Sequence, residues 1–121
     1  MKFFLLLPLL LAFGPQSSSA VDSELHNAVR NNNIVELRTL LSMSLIRQKI
    51  DIAEPILGWT PLHLAIVLNC VSCAKLLLNA GANPLVHDYS GKIPLSYAFG
   101  ISDPQIRGLI IYRLFEAMWN R

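Results

Sequence analysis

The segment Gly58-Trp59-Thr60-Pro61-Leu62-His63-Leu64-Ala65 recurs 33 residues later, in weaker form, as Gly91-Lys92-Ile93-Pro94-Leu95-Ser96-Tyr97-Ala98. A fixed period of this length constrains the chain to a stacked solenoid, in which each unit buries its apolar face only against its neighbours. The better-formed copy shows how a unit begins. Thr60 suits an N-cap, its hydroxyl accepting a backbone N–H of the first turn. Pro61 suits the first helical position, where its missing N–H costs nothing. Leu62, Ala65 and Ile66 give a short apolar face, and the helix is expected to end near Asn69. A second helix runs from about Val71 to Asn79, with Val71, Ala74, Leu77 and Leu78 on one face. Gly81 follows as the residue able to take the left-handed conformation that ends a helix.

Between the two copies lies Leu76-Leu77-Leu78-Asn79-Ala80-Gly81-Ala82-Asn83-Pro84. Together with the Thr-Pro-Leu-His start, this pattern resembles an ankyrin repeat over most of the chain beyond residue 20. The resemblance implies an all-α fold, an ankyrin-repeat solenoid of stacked helix-turn-helix units with β-turn fingers. It implies three repeats, at about residues 22–54, 55–87 and 88–120, within a domain spanning 21–121. It also implies that His63 bonds loop backbone. In the third repeat Ile93 replaces the capping Thr and Ser96 replaces the His. Loss of a cap costs roughly 1 kcal/mol, so this repeat is expected to be locally weaker. Asp103 and Pro104 can open its second helix, which continues to about Trp119. In the first repeat only the helices are visible: Leu25-His26 aligns with Leu62-His63, and Asp22 or Ser23 can cap. The stretch from Leu41 to Gly58 is four residues longer than that from Leu78 to Gly91, so residues 42–57 are expected to carry an insertion and a longer finger.

Residues 1–20 read as a targeting segment. Lys2 is followed by an apolar run from Phe3 to Phe13, then by Gly14, Pro15 and Gln16, with the small residues Ser18-Ser19-Ala20 before a cleavage point. The run is shorter than the about 20 apolar residues that a membrane-spanning helix needs. The expectation is an exported protein, secreted or periplasmic, whose mature chain starts at Val21. Cleavage there leaves 101 residues, enough for one small domain.

The full chain carries 10 basic and 8 acidic residues. This balance supplies no electrostatic case for nucleic acid or an acidic membrane. Only 15% of residues are charged and 53% are hydrophobic, so apolar surface rather than charge is expected to decide what the chain binds.

Cys70-Val71-Ser72-Cys73 is the motif with most chemical interest. Cys70 falls in the inter-helix turn and Cys73 in the first turn of a helix, whose N-terminus lowers a thiol pKa. A disulfide between the two, an exported thiol–disulfide protein using them, and two structural cysteines are the alternatives. The ankyrin resemblance places Cys73 at a buried position, where a cysteine acts as a small hydrophobe. The histidines His26, His63 and His87 have neither the spacing nor the companions of a metal set. No nucleophile elbow, phosphate loop or catalytic carboxylate pair is present. The reading is of a protein with no catalytic residues, metal, cofactor or small-molecule substrate.

What remains is a protein–protein interaction module. In the resembled family, partner contacts come from the turn tips and the exposed end of the first helix. Carried over, these positions are Ile56, Leu57, Trp59, Val67 and Leu68 in the second repeat. In the third they are Tyr89, Ser90, Lys92 and Ile101, and in the first Arg30 and Asn31. An exposed Trp59 flanked by Ile, Leu and Val would form a binding hot spot. The alternative is that the 42–57 finger folds over it. On the last helix, Gln105, Arg113, Glu116 and Asn120 form a polar stripe, and Ile111, Phe115 and Trp119 lie on a surplus apolar side. A terminal helix needs only one apolar face. That surplus is available to a partner, to the solenoid's own loops, or to self-association through the C-terminal helix.

Overall fold

The computed structural model describes residues 23–120. The leader and its cleavage site lie outside the described residues. Seven helices follow in order among the described residues: α1 (Glu24–Arg30), α2 (Ile34–Ser42), α3 (Ser44–Arg47), α4 (Pro61–Val67), α5 (Val71–Asn79), α6 (Pro94–Ala98) and α7 (Pro104–Trp119). The pairs α1/α2, α4/α5 and α6/α7 form three antiparallel units stacked side by side, and the described residues contain no strand. The core runs along the stack through Leu25, Val29, Leu37, Leu62, Ile66, Leu77, Ile110 and Leu114, all almost fully buried.

Each unit starts at a cap. Ser23 caps α1 and Thr60 caps α4, their hydroxyls accepting the N–H of His26 and His63. Ile93 opens α6 with no side-chain cap, and that helix is only five residues long. Asp103 caps α7 through the N–H groups of Gln105 and Ile106. The turn inside each of the first two units passes through a left-handed asparagine, Asn32 with φ 53° and Asn69 with φ 60°. Asparagine tolerates that conformation better than most residues.

The insertion is not simply a longer finger. Residues 44–47 form the extra helical turn α3, and Ile50 is buried in the core behind it. Asp51 then accepts the backbone N–H of Asn83 at 2.9 Å, pinning this linker to the end of the second repeat. Burying one β-branched side chain holds the added residues against the stack instead of leaving them as a flap.

Candidate protein-binding surface

Two fingers project from the stack, each built on a buried carboxylate. Glu54 accepts the backbone N–H groups of Ile56 at 2.9 Å, Leu57 at 2.6 Å and Trp59 at 3.3 Å. Asp88 accepts those of Ser90 and Lys92, both at 2.9 Å. The Glu54 turn closes on Trp59 and the Asp88 turn on Lys92, so the first is one residue longer. The extra methylene of glutamate spans the larger turn. Burial pushes the Glu54 carboxyl up, but the three N–H donors outweigh it and hold the group below the usual carboxylate range. Asp88 behaves alike: burial raises it, while the Tyr97 hydroxyl and the Lys92 and Ser90 N–H groups bring it below its ordinary value. The sequence marks Asp88-Tyr89-Ser90-Gly91 as a turn but shows neither Asp88 nor Glu54 as the buried centre of a finger. Their signal was an acidic residue three or four positions before each turn glycine.

The histidines tie each finger to the preceding unit. The Nδ1 of His63 accepts the N–H of Thr60 at 3.2 Å, which leaves the hydrogen on Nε2 to donate to the Lys92 carbonyl at 3.0 Å. His26 repeats this with Ser23 and with the Trp59 carbonyl, at 3.3 and 2.7 Å. The backbone role implied for His63 is what the structure shows, and His26 shares it. Burial drives the His63 imidazole below its ordinary pKa, against the opposing effects of the Lys92 carbonyl and Asp88 and with some help from His87.

Trp59 is not the exposed anchor the sequence allowed for. It is half-buried, and its indole N–H points at the Asp88 carboxylate at 3.2 Å and the Tyr97 hydroxyl at 3.3 Å. Its ring meets the edge of Tyr97 at 5.7 Å between centroids. Asp88 and Tyr97 of the third repeat supply these contacts. The Tyr97 hydroxyl in turn donates to Asp88, and burial together with that bond raises its pKa.

Around this buried node the tips are apolar. Ile56 is 70% exposed and Tyr89 67%, and Leu57 is also exposed. The Tyr89 N–H donates to the Leu57 carbonyl at 3.0 Å, and its ring lies where a β-carbon on Gly58 would sit, so the two tips touch. Gly58 has φ +75°, which a side chain would strain as well. Behind Ile56 and Leu57 a groove of about 260 Å³ runs to Arg30, Leu64 and the edge of Trp59, with His26 and Glu54 in its floor. Of the positions expected to bind, Ile56, Leu57, Trp59, Tyr89 and Arg30 meet here. Val67 and Leu68 are exposed but border other grooves, toward Ser96 and toward Cys70 respectively. Lys92 lies with its ammonium 5.6 Å from the Tyr97 ring centroid. Ile101 is a correction: it is buried beneath the α6–α7 turn, where an apolar side chain plugs the core.

The last helix buries Ile110 and Leu114 and sets Arg113, Glu116 and Asn120 beside the end of α5. Phe115 and Trp119 face outward, Trp119 at 89% exposure, together with Leu109 and Tyr112. Ile111 differs from expectation, since it packs half-buried against the core. Cys70 and Cys73 are paired as a disulfide. Among the described residues no group of three potential metal ligands comes together, and no helix is long and apolar enough to cross a membrane.

A family model describing three copies of ankyrin repeats matches residues 6–101. The chain belongs to the ankyrin-repeat family. That match begins inside the apolar segment read as a leader. The ARF GTPase-activating protein GIT2 of Rattus norvegicus is 37% identical over 78 residues, which is 64% of this chain and 10% of that protein. The NF-kappa-B inhibitor alpha of Homo sapiens is 40% identical over 82 residues, covering 64% of this chain and 24% of the inhibitor. The chain thus spans between a tenth and a quarter of these relatives. Among solved structures, the ankyrin repeat domain of Bcl-3 superposes with TM-score 0.65 at 30% identity, covering 77% of this chain and 38% of that domain. The Osh1 ankyrin domain of Kluyveromyces lactis gives TM-score 0.69 over 94% of this chain and 45% of its own; at 22% identity it speaks for the fold alone. Ankyrin repeats are protein–protein interaction modules, and this chain carries three.

Proposed function

We propose that this chain is an exported, non-catalytic module that binds another protein through its finger tips. The observation that carries the reading is the apolar patch of Ile56, Leu57 and Tyr89. These residues are exposed, they touch across two repeats, and none is needed to stack the helices. Such a patch at the mouth of a groove offers an apolar partner side chain a pocket, with Arg30 at its rim for orientation. The relative named for inhibiting NF-kappa-B supports a binding role of this kind. The GTPase-activating function named for another relative is not carried over, because the match covers a tenth of that protein.

The test is a photo-crosslinking residue at Leu57, with Lys75 on α5 as control, in protein expressed in its own host. A partner should be trapped from position 57 and not from 75. The double change Ile56→Asp, Leu57→Asp should then weaken binding of that partner at least about tenfold, as truncation of an interface anchor does. The urea midpoint should stay put, since neither side chain lies in the core. Trapping from position 75 alone would move the binding surface to the helix side of the stack. Export rests on the leader pattern, and N-terminal sequencing of the host-expressed protein should read from Val21. Intact Met1 would remove export from the proposal and leave the binding surface standing.

A further inference from the structure

The second helix of each unit is capped by the residue at one equivalent position. In the first unit this is Asn33, whose side-chain oxygen accepts the Glu36 N–H at 3.1 Å. In the third it is Asp103, which accepts the Gln105 N–H at 2.8 Å. In the second it is Cys70, whose sulfur stands 3.2 Å from the Cys73 N–H. A neutral thiol is a weak acceptor. A thiolate is a strong one, and the free N–H groups and dipole of the nine-residue α5 favour negative charge there. The position that takes an oxygen acceptor in its two sister units is filled here by a sulfur facing the same backbone N–H groups.

The two sulfurs are not equivalent. Cys73 is fully buried in the core, between Ala74 and Leu77 on the inner face of α5. Cys70 is half-exposed at the wall of an open groove of about 470 Å³ between the first two inter-helix turns, lined also by Arg30, Asn32, Leu68 and Ser72. The Asn32 side-chain oxygen lies 3.3 Å from the Cys70 sulfur, so this atom also contacts the neighbouring unit. The pair sits within bonding reach.

We propose that Cys70 and Cys73 form a thiol–disulfide exchange site for low-molecular-weight thiols and disulfides, with Cys70 the reacting sulfur and Cys73 the resolving one. In the oxidising direction the Cys70 thiolate attacks one sulfur of R–S–S–R. A Cys70–S–S–R bond forms and RS⁻ leaves, taking up a proton. The Cys73 sulfur, its proton lost, then attacks the Cys70 sulfur and expels the second RS⁻, which is protonated in turn. Two protein thiols and one disulfide become one protein disulfide and two RSH. In the reducing direction RS⁻ attacks Cys70, because the Cys73 sulfur is out of reach.

The test uses the full chain and glutathione. Reduced wild type treated with oxidised glutathione should lose the mass of two hydrogens, and peptide mapping should join Cys70 to Cys73. Cys73→Ser should stop at a stable glutathione adduct on Cys70. Cys70→Ser should acquire an adduct on Cys73 at least about tenfold more slowly, matching the difference in access. A second measurement needs no variant: brief alkylation of folded, reduced wild type, read by peptide mass, should label Cys70 well ahead of Cys73. Equal labelling of both, or wild type that holds both thiols free under oxidised glutathione, would overturn the assignment.

Discussion

The imidazole of His26 reaches across one full repeat and donates to the backbone carbonyl of Trp59, 2.7 Å away and 33 residues on in the chain. His63 does the same to Lys92 over 29 residues. The four-residue difference is the insertion between the first and second units. Each bond joins the cap of one helix pair to the base of the next finger, so successive units are held by a buried polar contact as well as by apolar stacking. A buried donor and acceptor that meet only each other stabilise modestly. Breaking such a pair costs more, because the survivor stays buried without a partner.

The first prediction follows from that asymmetry. His63→Ala should lower stability by at least about 2 kcal/mol, since it strands the Lys92 carbonyl and opens a cavity beneath the second finger. Urea unfolding would show it as a lower midpoint. The acid limb should change too. His63 is held neutral by burial, with its folded pKa below the ordinary value. Its contribution is complete above about pH 6.5 and is lost as pH falls from there through the folded pKa, because the unfolded chain takes up a proton that the folded one refuses. Glu54 and Asp88 are depressed carboxylates, and their contributions fade only below about pH 4. Wild type should therefore lose stability in two acid stages. His63→Gln should lack its share of the upper stage and keep the lower.

Much of this scaffold was legible because its signals are local. Thr60-Pro61 announces a capped helix start, and Leu62 and Ile66 announce its core face by spacing alone. The equivalence of His26 with His63 could be read from a two-residue alignment even where the first finger could not. What escaped depends on contacts remote in sequence. Nothing near Ile50 says that it will be drawn into the core and wind residues 44–47 into a helical turn. Trp59 resembles an exposed tip until Asp88 and Tyr97, 29 and 38 residues later, supply acceptors for its N–H. Ile101 was placed by pattern on a surface that the short α6 turns inward.

Trp59 therefore carries a stability prediction. Trp59→Ala should cost about 3 kcal/mol, near the lower end for loss of a large buried aromatic because the ring is only half-buried. Trp59→Phe should cost about 1 kcal/mol, retaining the ring contact with Tyr97 and losing the N–H bonds. A melt unchanged by the alanine variant would mean that the ring lies free at the surface.

The uncapped start of α6 is a place where the fold can be improved. Ile93→Thr restores the hydroxyl that Thr60 provides one repeat earlier, which adds roughly 1 kcal/mol. Ile93 is half-buried, so part of that gain is returned as lost apolar contact. The expected result is a small net rise in the urea midpoint, below the full value of a cap. A drop would show that the Ile93 side chain matters more to packing than its missing cap.

The last prediction concerns the outer face of α7. Among the described residues α7 has neighbours on one side, and a helix face left to water is normally polar. Here the polar residues Arg113, Glu116 and Asn120 sit beside the end of α5, while Tyr112, Phe115 and Trp119, with Glu116 and Asn120 at the edge, line an open groove of about 460 Å³ facing outward. Two copies meeting through this face would each cover the other's exposed Tyr112, Phe115 and Trp119. Isologous contacts of this kind are the commonest route to a dimer. Sedimentation velocity over a concentration series should show wild type shifting from monomer to dimer. The change Phe115→Glu, Trp119→Glu should stay monomeric at every concentration, with an unaltered urea midpoint under dilute conditions, because Ile106, Ile110, Ile111 and Leu114 hold the helix to the core and neither replaced side chain does. Wild type that remains monomeric throughout would leave the face to a different protein, and a crosslinking residue at Trp119 would then find it.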